Sequence, residues 1–282
     1  MRRLAVVLFV LAAGAISSAL PAQPPIPPAP GADPLHVPFD RILDVNVRDG
    51  FVYYRALQSG REALDRYVAS LNVPPATYEG WSREARMAFW VNAYNAVVLQ
   101  TVINRYPIRG RSADYPASSL RQVPGAFTAT HRLAGRAVSL NDIVKTIIPE
   151  FNEPRLQLAL GRGAMGSGRL RSEAYTAARL EGQLDAVQSE FVSQAPMLRV
   201  DRTAGQISMT PILSWHAKSF IAAYDPGETG PFAQRSPIER ALVAFISPHL
   251  LPLEREFVQQ NRFKVTYHDF DWTLNDLTGG RR

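Results

Sequence analysis

Three short runs hold the residue types from which chemistry is built. GRGAMGSG (161–168) comes after the apolar run PRLQLAL and sets Gly161, Gly163 and Gly166 in G-x-G-x-x-G spacing, the arrangement that cradles a dinucleotide pyrophosphate. That chemistry needs a helix opening at the last glycine and an acidic residue closing the next strand. Here Ser167-Gly168-Arg169 delays any helix, and the helical pattern LEGQLDAVQSEF takes the place of that strand. The dinucleotide assignment fails, and no cofactor is expected. Ser167 lies between glycines and is a candidate nucleophile. Its spacing is G-S-G rather than G-x-S-x-G, because position 165 is Met165. A base would have to come from Lys145, His131, His216, His249 or His268, and the spacing assigns none.

In AFWVNAYNAVV (88–98), Asn92 and Asn95 lie three apart on one helix face amid apolar residues. A buried amide left unpaired costs roughly 1–3 kcal/mol, so each must bond a neighbouring loop or a ligand. Bonds to loop backbone near the glycine turn are the expectation. Tyr94 and Trp90 form a second stripe of core type. YHDFDWTLND gathers His268, Asp269 and Asp271, the residue types of a divalent-ion site. Alternation in a strand sets His268 opposite the two carboxylates, so no metal is expected.

These residues need a scaffold. The run from about 82 to 104 predicts a helix apolar nearly all round at its centre, hence buried on most sides. Before it, FDRILDV predicts a short helix, Arg48-Asp49-Gly50 a turn, Val52–Tyr54 a strand, and EALDRYVASL a helix capped by Ser59. After it come a long loop from Arg109 to Pro116, a hairpin bending at Ala134-Gly135, a short helix behind Ser139, and PRLQLAL as a buried strand. A helix over 180–195, a hairpin at Ala204-Gly205, three further helices (PILSWHAKSFIAAY, IERALVAFISPHL, LEREFVQQ) and a closing strand FKVTYHDFDW complete the chain. Helices and short strands mix without βαβ alternation, which predicts an α+β fold, a single domain around the central helix 82–104.

The N-terminus, MRRLAVVLFVLAAGAISSALPA, has the basic start, apolar stretch and small residues of a signal peptide over 1–22. Its apolar stretch is shorter than the ~20 residues of a spanning helix. A Pro-rich tether (23–37) comes next, then one globular domain over 38–282, with no transmembrane span expected after signal cleavage. The protein is expected to be exported, periplasmic or secreted. It has no cysteine, which excludes a thiol nucleophile, thiolate metal sites and iron–sulfur clusters. The net charge of +6 is spread without a dense basic run interleaved with aromatics, so no nucleic-acid partner is expected. A protein or envelope partner is the expectation that remains.

Taken together, AFWVNAYNAVV, VSLNDIV (138–144), PRLQLAL with its glycine loop, SWHAKSF (214–220) and DWTLND (271–276) resemble, in order and spacing, the family called domain of unknown function 547. The resemblance implies a fold more than a reaction. In its pattern the PRLQLAL segment carries a histidine, the loop after it two cysteines and a lysine, and the helix after the hairpin Ile-Glu-His. Here Gln157, Arg162, Ser167 and Met165 stand at those positions, and the helix reads Ile143-Val144-Lys145. A thiol–imidazole pair is what nucleophilic cysteine chemistry requires, and the chain keeps neither partner. The expected function is therefore a non-catalytic or degenerate member acting as a binding or envelope-interaction module. The alternative is a divergent hydrolase or transferase using Ser167, with Arg155, Arg162 or Arg171 holding an anionic group. Residues expected to bind are Asn92, Tyr94, Asn95, Arg155, Arg162, Arg171 and Trp215.

Overall fold

The computed structural model describes residues 33–278; the expected signal peptide and residues 23–32 of the expected tether lie outside them. A turn at 34–36 leads into α1 (Val37–Asn46), and His36, at its end, is already buried. The fold thus starts slightly upstream of residue 38. Asp49 and Gly50, both at positive φ, turn β1 (Val47–Arg48) into β2 (Phe51–Val52). Tyr54, expected to end that strand, instead opens α2 (Tyr54–Ser59). Ser59 does not cap the next helix: its hydroxyl donates back to the Arg55 carbonyl. Helix α3 (Glu62–Ser70) starts at Arg61 with no side-chain cap, and α4 (Pro75–Glu79) comes after it.

The axis of the core is α5 (Arg83–Ile103). Ser82 Oγ accepts the Ala85 N–H at 3.1 Å and caps it, and every residue from Met87 to Leu99 is buried. A helix apolar on all faces has to be enclosed, and α2, α3, α6 (Leu140–Asp142) and the short turn Ala177–Arg179 pack around it. The hairpin β3 (Thr130–Leu133)–β4 (Arg136–Ser139) turns at Ala134 and Gly135, whose φ values of 49° and 73° are both positive. This two-residue turn matches the twist of its strands but favours Asn-Gly or Gly-Gly. Ala134 is held in it by donating its N–H to the Leu71 carbonyl at 2.9 Å. Ser139 and Asp142 then form a reciprocal capping box. The helix continues through a wide turn (Ile143–Ile147) into α7 (Ile148–Glu150).

PRLQLAL is not a strand. Arg155–Leu158 makes a single helical turn, α8. The Glu153 carboxylate accepts the Arg155 N–H at 3.2 Å, and Pro154, with φ −69°, is already in the helical region. Residues 156–160 are buried throughout, and a continuous apolar run does not distinguish a strand from a buried helical turn.

After the glycine loop come α9 (Leu180–Ser193) and the hairpin β5 (Leu198–Asp201)–β6 (Gln206–Met209). PILSWHAKSFIAAY, expected as one helix, breaks at His216 into α10 (Ile212–Trp215) and α11 (Ala217–Tyr224). Helices α12 (Pro237–Ile246) and α13 (Pro252–Gln259) precede β7 (Lys264–Tyr267), which pairs parallel to β6. The chain then returns to the N-terminal hairpin: the Val52 N–H donates to the Asn275 carbonyl at 2.9 Å, and the Tyr54 hydroxyl to Asn275 Oδ1 at 2.7 Å. The architecture is α+β and a single domain, with small separate sheets around a helical core. Among the described residues no helix is long and apolar enough to cross a membrane.

A candidate binding site: a cation-lined aromatic cleft

The two asparagines of α5 fix the loops beside it. Asn95 Nδ2 donates to the Ala159 carbonyl at 3.1 Å, while its Oδ1 accepts the Gly161 N–H at 2.8 Å. Asn92 does the same with one residue, donating to the Tyr175 carbonyl at 2.8 Å and accepting the Tyr175 N–H at 2.9 Å. Both amides therefore satisfy loop backbone. Only Asn95 reaches the glycine turn.

The far half of that turn is tied to the C-terminal segment. Met165 and Gly166 donate their N–H groups to the carbonyls of Thr273 and Asp271, each at 2.8 Å. A Cβ on Gly166 would lie 2.7 Å from the Asp271 nitrogen, and one on Gly168 only 1.9 Å from the Leu158 carbonyl oxygen. These glycines are set by close approach of backbone. No pyrophosphate cradle is needed to explain them.

Between the two anchors Arg162, at positive φ, turns its side chain inward and is 4 % exposed. Its Nη1 donates to the carbonyls of Gln157 (3.0 Å) and Leu160 (3.1 Å), and its Nη2 approaches Gln157 Oε1 at 3.3 Å. All three acceptors are neutral, and no ion pair to Arg162 occurs among the described residues. Gln157 is held in turn by donating to the Val144 carbonyl at 3.0 Å. Burial lowers the Arg162 pKa, and Arg121 adds to that by like-charge repulsion. Burying a charge without a counter-charge costs on the order of several kcal/mol.

Arg162 forms part of the wall of a cleft of ≈ 510 Å³. Three more cations line it: Arg121 from the turn before β3, Lys145 from the helical run after β4, and Lys218 from α11. No carboxylate lines it, and none of the four cations is ion-paired among the described residues. Its apolar walls come from Tyr94, Phe127, Trp215 and Trp272. The Arg121 guanidinium lies 4.3 Å from the Trp272 ring centre and 4.6 Å from that of Phe127, which positions the cation without neutralising it. His216 also lines the cleft; burial, reinforced by Arg162, lowers its pKa to about 4 and keeps it neutral near pH 7. The hydroxyls of Tyr94 and Ser219 and the amide of Asn141 line the same space and bond to none of the described residues. The arrangement can hold an anion and hydrogen-bond the molecule that carries it.

The other expected residues lie elsewhere. Arg155 is bound to Glu153 and Glu181, with Nη2 2.7 Å from Glu153 and Nη1 2.9 Å from Glu181. Arg171 pairs with Glu173 at 2.9 Å and Glu190 at 3.1 Å. Both guanidiniums already have counter-charges. Ser167 is buried on the other side of the loop, where it lines a separate cleft of ≈ 430 Å³ with Met165, Arg169 and Met197. Among the described residues its Oγ has no hydrogen-bond partner, and no histidine or lysine lines that cleft. His268, Asp269 and Asp271 form no metal-holding cluster; among the described residues no group of three or more such side chains does. No sequence signal points to Arg121 or Phe127. Trp272 and Lys218 belong to recognisable runs, but nothing within those runs marks them as lining a site.

Fold and cleft together define an α+β protein with a preformed, cation-lined aromatic site. Each of the five sequence runs that carried the resemblance contributes at least one residue to this cleft. Residues 78–192 match the model of the family described as "Protein of unknown function, DUF547". No curated protein and no solved structure matches the chain.

Proposed function

We propose that this protein is an exported, non-catalytic member of its family that binds an anionic ligand in the cleft around Arg162. The observation that carries it is a buried guanidinium satisfied, among the described residues, only by neutral acceptors, inside a cleft where those residues supply three further unpaired cations and no carboxylate. A bound anion would supply the missing counter-charge in a low-dielectric site, where it counts most. In the family resemblance Arg162 and Lys145 stand where a cysteine and a histidine are expected, and both line this cleft. Cations in place of a nucleophile and its base favour binding over turnover. Export rests on the three-part N-terminus alone, and the mature protein from its native host should begin near residue 20 or 23 by mass spectrometry. An intact Met1 in the cytosol would remove that part.

The experiment is a calorimetric and thermal-shift titration of purified mature protein with citrate and inorganic phosphate. Saturable binding is expected, weakening with salt, and lost in Arg162→Gln while circular dichroism stays native. Equal binding by Arg162→Gln and wild type would refute the proposed site. In the alternative, a Ser167 enzyme, the hydroxyl needs a base that its surroundings do not offer. Covalent labelling by a fluorophosphonate, absent from Ser167→Ala, would establish that alternative instead.

A further inference from the structure

We infer that the anion held in the cleft is borne by a sugar: the ligand is an acidic saccharide, a pyranose carrying a carboxylate or phosphate. This rests on the anion-binding reading above and adds to it the part of the ligand that the cations do not explain. Trp215 and Trp272 line the cleft with planes 17° apart and ring centres 6.3 Å apart. Phe270, which does not line the cleft, packs on both, its ring centre 5.1 Å from that of Trp215 and 4.4 Å from that of Trp272. The indoles are thus buttressed from outside the cleft. Trp215 is nonetheless 48 % exposed, although burying such a ring is normally among the larger apolar gains. An indole fixed in place and left partly in water suits a ligand that supplies the missing contact.

A phosphate or citrate ion has no face to lay on an indole. A pyranose does: its C–H groups form an apolar face, while its hydroxyls radiate from the rim. Those hydroxyls need neutral partners, and the free groups of Tyr94, Asn141 and Ser219 lie in the same cleft as the indoles. A neutral sugar would leave the four cations without a counter-charge, so the ring must carry the anion. The volume, ≈ 510 Å³, lies within the range of small-molecule sites, roughly 300–1,000 Å³.

The test is a calorimetric titration of mature protein with tetragalacturonate, 3′-sialyllactose and glucose 6-phosphate. Maltotetraose serves as the ring without charge, citrate and inorganic phosphate as charge without ring, and adenosine monophosphate as a charged ligand with a planar ring. At least one acidic saccharide should bind ten-fold or more tighter than every comparator and quench tryptophan fluorescence. Trp215→Ala, a half-exposed site that should fold, is expected to lose that ten-fold advantage while keeping the weak binding of citrate. Lys218→Gln should weaken the acidic saccharide and citrate alike. If citrate or phosphate binds as tightly as every acidic saccharide, the sugar is overturned and the anion site stands. Tighter binding of adenosine monophosphate overturns the sugar in favour of a nucleotide. If neither an anion nor an acidic saccharide binds, both proposals fail together.

Discussion

The Ser167 hydroxyl is buried and bonds to none of the described residues. Removing such a group costs little, because no partner is orphaned and an unmet desolvation penalty disappears. The glycines beside it behave oppositely. An alanine at Gly168 drives its Cβ onto the Leu158 carbonyl, and one at Gly166 onto Asp271 backbone; at Gly163 the φ of 61° disfavours any side chain. We therefore expect Gly168→Ala to be the most damaging, with Gly166→Ala and Gly163→Ala next. Ser167→Ala should be neutral or slightly stabilising in urea denaturation. A Ser167→Ala loss as large as that of the glycine variants would mean the hydroxyl has a role the structure does not explain. The loop's glycine need was legible in the sequence. Arg162 and Ser167 were both named in advance; that Arg162 lines one cleft and Ser167 another was not legible, because the turn that carries Arg162 inward depends on a positive φ at a non-glycine residue.

At the scale of elements, α5 shows why part of the fold could be read in advance. Its apolar centre, its Ser82 cap and its uninterrupted length all specify the same helix, and consistency of that kind is what makes an element legible. The hairpin at Ala134-Gly135 and the short helix behind Ser139 were equally local. PRLQLAL failed because its burial on all sides erases the period that separates helix from strand. The asparagines lie between these cases: burial predicted that they must be paired, and only tertiary structure named the partners. Asn95→Ala strips two buried backbone groups, Ala159 carbonyl and Gly161 N–H, of their partners; Asn92→Ala does the same to Tyr175. Each should lower stability by roughly 1–3 kcal/mol. Only Asn95→Ala should also weaken anion binding, because it alone loosens the loop that presents Arg162. Equal loss of binding in both variants would show that the anchors are not independent.

For the whole molecule, cysteine is absent, and a chain without disulfides must draw its stability from its core and its polar networks. Burial lowers the pKa of three histidines, His36, His131 and His216, and makes that stability depend on pH in a definite window. Burial lowers His36 to about 4 against the opposing pull of Asp33, and His216 to about 4 with repulsion from Arg162 added. His36 is 1 % exposed; its Nδ1 lies 2.8 Å from the Tyr67 hydroxyl, and its Nε2 has no partner among the described residues. In the unfolded chain His36 and His216 take up a proton near pH 6.5, whereas in the fold neither does until about pH 4. Between those values the unfolded state binds more protons, so stability falls as the solution is acidified. At 1.36 kcal/mol per unit, each of these two accounts for on the order of 2–3 kcal/mol by pH 4.5. Carboxylates held down by partners, such as Glu181 beside Arg155 and Asp65 beside Arg61, act in the same direction but only once the pH nears the ordinary carboxylate range. Urea unfolding at intervals from pH 7.5 to 4.5 should show the decline beginning near 6.5, ahead of any carboxylate. His36→Gln should start from a similar or lower stability at pH 7.5 yet lose distinctly less than wild type by pH 4.5, with His131 and His216 still contributing. A wild-type profile flat down to pH 5 would mean that these imidazoles are better hydrated than their burial implies.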